Sequence, residues 1–144
     1  MPDGDARICE SDIRIQNDRA LVAALWDRLE AAIDACEYHD ASKFALRIAY
    51  EEAMSNAFRH GHAGLPATTP VQVSYCIDPE TVEITVEDQG PGFDPGAIPD
   101  PTLDENLAKP GGRGIMLIRA YMSEVSFHRD GRQLRMVYRR PPDR

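Results

Sequence analysis

At 144 residues, with 42% hydrophobic and 28% charged residues, the chain has the size and balance of one soluble domain with its own core. Sixteen Lys and Arg stand against 24 Asp and Glu, a net charge of −8, which argues against the basic patches that hold nucleic acid or an anionic membrane. No apolar run approaches the roughly 18 residues of a membrane span, and the acidic N-terminus MPDGDARICESD does not read as a signal peptide.

Residues 8–16, ICESDIRIQ, alternate and predict a first strand. A helix follows over 18–38, with Leu21, Leu25, Leu29 and Ile33 on one face and Asp18 as its cap. A second helix runs over about 40–60, stopped by Gly61. VQVSYCID (71–78) and TVEITVED (81–88) alternate at period two around Asp78-Pro79-Glu80, which predicts an antiparallel hairpin. Residues 89–113 are dense in Gly and Pro and lack periodicity; so long a loop inside a compact domain is usually functional or mobile. A third helix, GIMLIRAYMS (114–123), precedes a second hairpin, EVSFHRD and RQLRMVYRR, around Asp130-Gly131. The order β-α-α-β-β-loop-α-β-β predicts a single α+β domain over 1–144, a two-layer sandwich of a mixed, mostly antiparallel sheet with helices on one face.

Cys9, Cys36 and Cys76 form no CxxC pair and show no metal spacing with His39, His60, His62 or His128. They read as buried, reduced thiols, and the compartment as cytoplasmic. The P-loop pattern, GxGxxG, GxSxG, HExxH and the kinase catalytic loop are all missing, so a bound nucleotide would need another cradle.

Three stretches carry chemistry. Glu52, Asn56 and His60 recur every four residues and share a helical stripe, with Leu46, Ala53 and Ala57 on a neighbouring apolar face. A carboxamide oxygen one turn from a carboxylate suits Mg²⁺ with phosphate oxygens, and the carboxylate suits a general base; the same spacing also describes a solvated helix face. Asp88 ends a strand, where it can accept from an amine, and Gly90 and Gly92 in DQGPGF let the chain pass closely around a flat ligand or simply turn. Gly111, Gly112 and Gly114 in PGGRG open a helix whose free N–H groups and dipole favour phosphate, with Arg113 adding charge; a hinge would read the same way.

Taken in order, EEAMSNAFRHG, DQGPGF and GGRG resemble the N-box and two glycine boxes of the Bergerat ATP-binding fold shared by gyrase, histidine kinases and MutL. Residues 52–125 are most similar to the small bacterial anti-sigma-factor serine kinases. The resemblance implies ATP and Mg²⁺ as cofactors, with Glu52 as the base that activates a substrate serine and Asn56 as the Mg²⁺ ligand. It implies that Asp88 reads adenine, that Gly90 and Gly92 shape that wall, and that Gly112 and Gly114 cradle phosphates. It implies a lid over 94–111, near which Lys109 and Arg113 are the only cations, one or the other meeting the γ-phosphate. It further implies an anti-anti-sigma (STAS) protein as substrate, a sigma factor as competing partner, a homodimer, and no direct contact with nucleic acid or membrane. A nucleotide-dependent binding switch without phosphotransfer is the alternative.

Overall fold

The computed structural model describes residues 7–91 and 112–142. Its elements are β1 (Ile8–Ile15), α1 (Arg19–Ala35), α2 (Asp40–Asn56), β2 (Val71–Ile77), β3 (Thr81–Glu87), α3 (Gly112–Tyr121), β4 (Glu124–His128) and β5 (Gln133–Arg139). The five strands form one sheet in the order β1-β2-β3-β5-β4. All four pairings are antiparallel, so the expectation of a mixed sheet is corrected: among the described residues no strand pair is parallel.

The period-two pattern sorts the sheet into two faces. Val71, Val73, Tyr75 and Ile77 of β2, Val82, Ile84 and Val86 of β3, and Leu134, Met136 and Tyr138 of β5 are buried and share one core with the helices. The other face is polar and carries pairs such as Glu83 with Arg135. A half-solvated antiparallel sheet needs this alternation. Leu25, Leu29 and Ile33 of α1 are buried as their spacing predicts, whereas Leu21 is 41% exposed. Each four-residue step overshoots a full turn by about 40°, so over three steps the stripe drifts away from the core. Asp18 caps α1, accepting N–H bonds from Ala20 and Leu21. At the far end the Arg140 guanidinium donates to the carbonyls of Cys36, Glu37 and Pro79 and lies over the Tyr38 ring, which locks the end of α1 to the β2–β3 turn.

The cysteine reading is corrected. Cys9 is exposed and Cys76 half-buried on the solvent face of the sheet; they are register partners across β1 and β2 and form a disulfide. Cys36 alone is a buried free thiol. A cross-link between residues 67 positions apart removes freedom from the unfolded chain. Reduction, or Cys9→Ser, is therefore expected to lower unfolding free energy by about 2–4 kcal/mol. Denaturant unfolding with and without a thiol reductant measures it, and identical midpoints would remove the bond from the account.

Candidate functional site

α2 presents three kinds of side chain around its circumference. Ala45, Leu46, Ala49, Tyr50, Ala53 and Met54 are buried. Glu51 is exposed and paired with Arg47. Glu52 and Asn56 are half-buried at the boundary, one turn apart or about 6 Å of rise. Past Asn56 the helix widens into a π turn over Ala57–Gly61, closed by the His62 N–H donating to the Ala57 carbonyl at 2.9 Å. The sequence periodicity, which assumed a uniform α-helix to residue 60, misses this change. Such single π turns are frequent at functional sites. Here it brings Gly61 and His62 against the end of β3.

That end of β3 is held from four sides. Asp88 is only 9% exposed. Its N–H donates to the Arg132 carbonyl at 2.9 Å, tying it to the β4–β5 turn. Its Oδ1 accepts the Gly90 N–H at 2.8 Å, the local turn that Asp side chains favour. Its Oδ2 lies against Gly61, where an added Cβ would sit 2.4 Å away. The next residue, Gln89, donates its N–H to Nε2 of the buried His62 at 2.8 Å. Gly90 packs so closely that a Cβ there would stand 1.8 Å from the Gly61 carbonyl oxygen. Burial pushes the Asp88 carboxyl above its ordinary value, opposed by the Gly90 N–H, His62 and Arg132. Burial pushes His62 below its ordinary value, with Asp88 opposing, so the ring is a neutral acceptor at Nε2.

Beside Asp88 lies a cavity of about 240 Å³. Ala53, Asn56, Ala57, His60 and Gly61 line it from α2 and its π turn, Val86, Asp88 and Pro91 from β3 and beyond, and Phe127, Gly131, Arg132 and Leu134 from the last hairpin. Whole ligand sites run to roughly 300–1,000 Å³, so this volume suits one flat ring system. Its apolar walls and single buried carboxylate suit a ring bearing an amine. The hairpin can approach because Arg129, Asp130 and Gly131 all take positive φ (55°, 60° and 85°), a tight left-handed turn with Gly131 buried in the wall.

The second half of the site is the start of α3. A Cβ placed on Gly114 would lie 3.2 Å from Glu52 Oε1, so the α2 carboxylate touches the first turn of α3. The helix begins at Gly112, two residues earlier than predicted. Gly112 and Gly114 therefore both sit where N–H groups lack intrahelical partners. Asn56 lines the cavity one helical turn from Glu52. Among the described residues no group of three His, Cys, Asp or Glu side chains would hold a metal alone. The donor set suits Mg²⁺ bound by one carboxamide oxygen, phosphates and water.

The structure thus brings Asn56, Asp88 and His60 to one cavity, sets Gly90 behind the carboxylate, and puts Glu52 with Gly114 at its neighbour. Gly92, Lys109 and the lid 94–111 lie outside the described residues, as does the Arg113 side chain. Sequence reasoning took Gly61 only as a helix stop, gave His62 no role, and predicted the β4–β5 turn without placing it at the site. The run His60-Gly61-His62 at the end of the N-box was the available signal.

A family profile described as "Histidine kinase-like ATPase domain" matches residues 15–138. The chain is similar to the serine/threonine-protein kinase BtrW of Bordetella bronchiseptica, 30% identical over 90 residues, covering 60% of this chain and 62% of that protein. It is also similar to the serine-protein kinase RsbW of Bacillus licheniformis, 33% identical over 88 residues, covering 56% of this chain and 53% of that protein. The matched stretch spans just over half the length of these relatives.

Proposed function

The chain belongs to the histidine kinase-like ATPase domain family, and from that premise we propose that it is an ATP-dependent protein-serine kinase and anti-sigma factor, acting on a STAS-type anti-anti-sigma protein and sequestering a sigma factor. The observation that carries the reading is a buried carboxylate, Asp88, pinned at the wall of a ring-sized cavity whose other wall is the helix bearing Asn56 and Glu52. Two relatives named as serine kinases support it.

In this reading Asp88 accepts the adenine amine, with Gly90 and Gly92 forming that side of the pocket. Asn56 holds Mg²⁺ through its carboxamide oxygen, and the ion neutralises phosphate charge when bound. The N–H groups at Gly112 and Gly114 meet the phosphates, helped by the helix dipole. Lys109 and Arg113 add positive charge. Glu52, at the first turn of α3, takes the proton from the attacking serine hydroxyl. Positioning and charge neutralisation are most of what phosphoryl transfer requires, so a domain of this size suffices. The protein acts as a cytoplasmic homodimer. Among the described residues no helix is long and apolar enough to cross a membrane.

The test is transfer of labelled γ-phosphate from Mg-ATP to a serine of the cognate STAS protein. Transfer that stops when this serine is replaced by alanine supports the kinase. Nucleotide-dependent partner binding with no transfer would replace it with the binding switch.

A further inference from the structure

We infer that His62 is a positioning residue for the base-binding carboxylate: its ring Nε2, by accepting the Gln89 N–H, latches the Asp88–Gly90 segment against Gly61. The inference rests on the nucleotide reading of the cavity and adds a residue that this reading does not use.

The geometry has three parts. The Nε2 to Gln89 N distance is 2.8 Å, and His62 is buried. The Phe58 ring meets the imidazole edge-on, with centroids 5.7 Å apart, which fixes the plane of the ring. Gly61, the preceding residue, leaves no room for a side chain between its Cα and the Asp88 carboxylate. A latch at residue 89 and a contact at residue 61 therefore hold Asp88 from both sides. Gln89 itself is exposed, so without the acceptor its N–H turns to water and the tie to the buried His62 is lost, which favours a shifted segment.

Only the neutral ring accepts. The titratable group facing His62 is Asp88, which in turn has Glu87 and Arg132 beside it. Burial holds His62 below its ordinary value of 6.5 and Asp88 opposes that. A depressed value means the latch is intact above pH 6.5 and lost as pH falls through the folded value. ATP affinity should follow it.

The experiment compares the full chain with His62→Ala and His62→Gln, whose amide oxygen reaches the position of Nε2. ATP binding is titrated by calorimetry from pH 7.5 to 5, and exchange of the Gln89 amide is followed by NMR without nucleotide. His62→Ala is expected to weaken ATP about tenfold and speed Gln89 exchange at least about tenfold, the size of one lost hydrogen bond. His62→Gln is expected to restore both to within about threefold and to lack the wild-type step below pH 6.5. Titration of ATP is common to both proteins and cancels, whereas replacing His62 removes one of the influences that lower Asp88. Unchanged exchange and affinity in His62→Ala overturn the inference, as does a pH step that persists in His62→Gln. If wild type binds no ATP, the nucleotide reading fails, and amide exchange alone still decides the latch.

Discussion

Glu52→Gln is expected to slow phosphate transfer to the substrate serine by about 10²- to 10⁴-fold, the range a positioned general base contributes, while changing ATP affinity less than about threefold. Glutamine keeps the shape of the side chain and its place at the first turn of α3, where Oε1 stands 3.2 Å from a Cβ built on Gly114. It cannot take a proton. Glu52 is absent from the lining of the cavity beside Asp88, so base binding should not sense the change. Neighbouring Glu51 is exposed and engaged with Arg47, and Glu51→Gln serves as the control with an unaltered rate. Single-turnover transfer at saturating Mg-ATP separates chemistry from binding. A Glu52→Gln rate within about tenfold of wild type would remove Glu52 as the base.

The second large effect is steric. Gly90→Ala places a Cβ 1.8 Å from the Gly61 carbonyl oxygen and 2.9 Å from its carbon. These are backbone atoms, which cannot rotate aside. Overpacking of this kind costs about 1–3 kcal/mol, and the rigid neighbour puts Gly90→Ala at the upper end. The same displacement breaks the Gly90 N–H bond to Asp88 Oδ1. ATP affinity should drop about ten- to a hundredfold, the loss of one hydrogen bond to a charged group. Gly61→Ala reaches a similar end differently, because its Cβ would meet Asp88 Cγ and Oδ2 at 2.4 Å. Its stability cost should shrink in an Asp88→Ala background, which removes those two atoms, and a double-mutant cycle by denaturant unfolding reads the coupling. Equal costs in both backgrounds would show that the carboxylate does not rest on Gly61.

The strands and helices were legible because each repeats locally: Val71 to Ile77 and Thr81 to Glu87 alternate cleanly, and Asp18 stands directly before the Leu25–Ile33 face. The site residues were legible as three boxes in order, each ambiguous alone. What stayed hidden depends on contacts between distant segments. The Cys9–Cys76 pairing requires the register of β1 on β2, which shifts between Glu10 and Ile13, and nothing near either cysteine encodes it. The π turn breaks the uniform 3.6-residue period that a helical reading assumes, so Gly61 looked like a stop and not a contact for Asp88. His62 was weighed only for metal spacing, which it lacks; its actual partner is a backbone N–H 27 residues away, which no spacing announces. Arg132 meets Asp88 through its carbonyl, a contact that no side-chain pattern announces.

Calorimetric titration of Mg-ATP into wild type and Asp88→Asn, with thermal melts of both proteins free of nucleotide, tests the cavity most directly. Burial raises Asp88 above 3.8, so its contribution to the empty fold is complete below that value and is lost as pH rises through the folded one. Burial thus disfavours the ionised carboxylate in the empty fold. The prediction is saturable ATP binding to wild type, at least about tenfold weaker binding to Asp88→Asn, and a melting temperature in Asp88→Asn no lower than wild type. Absence of ATP binding to wild type, or equal affinity in the two proteins, would contradict an adenine pocket at Asp88.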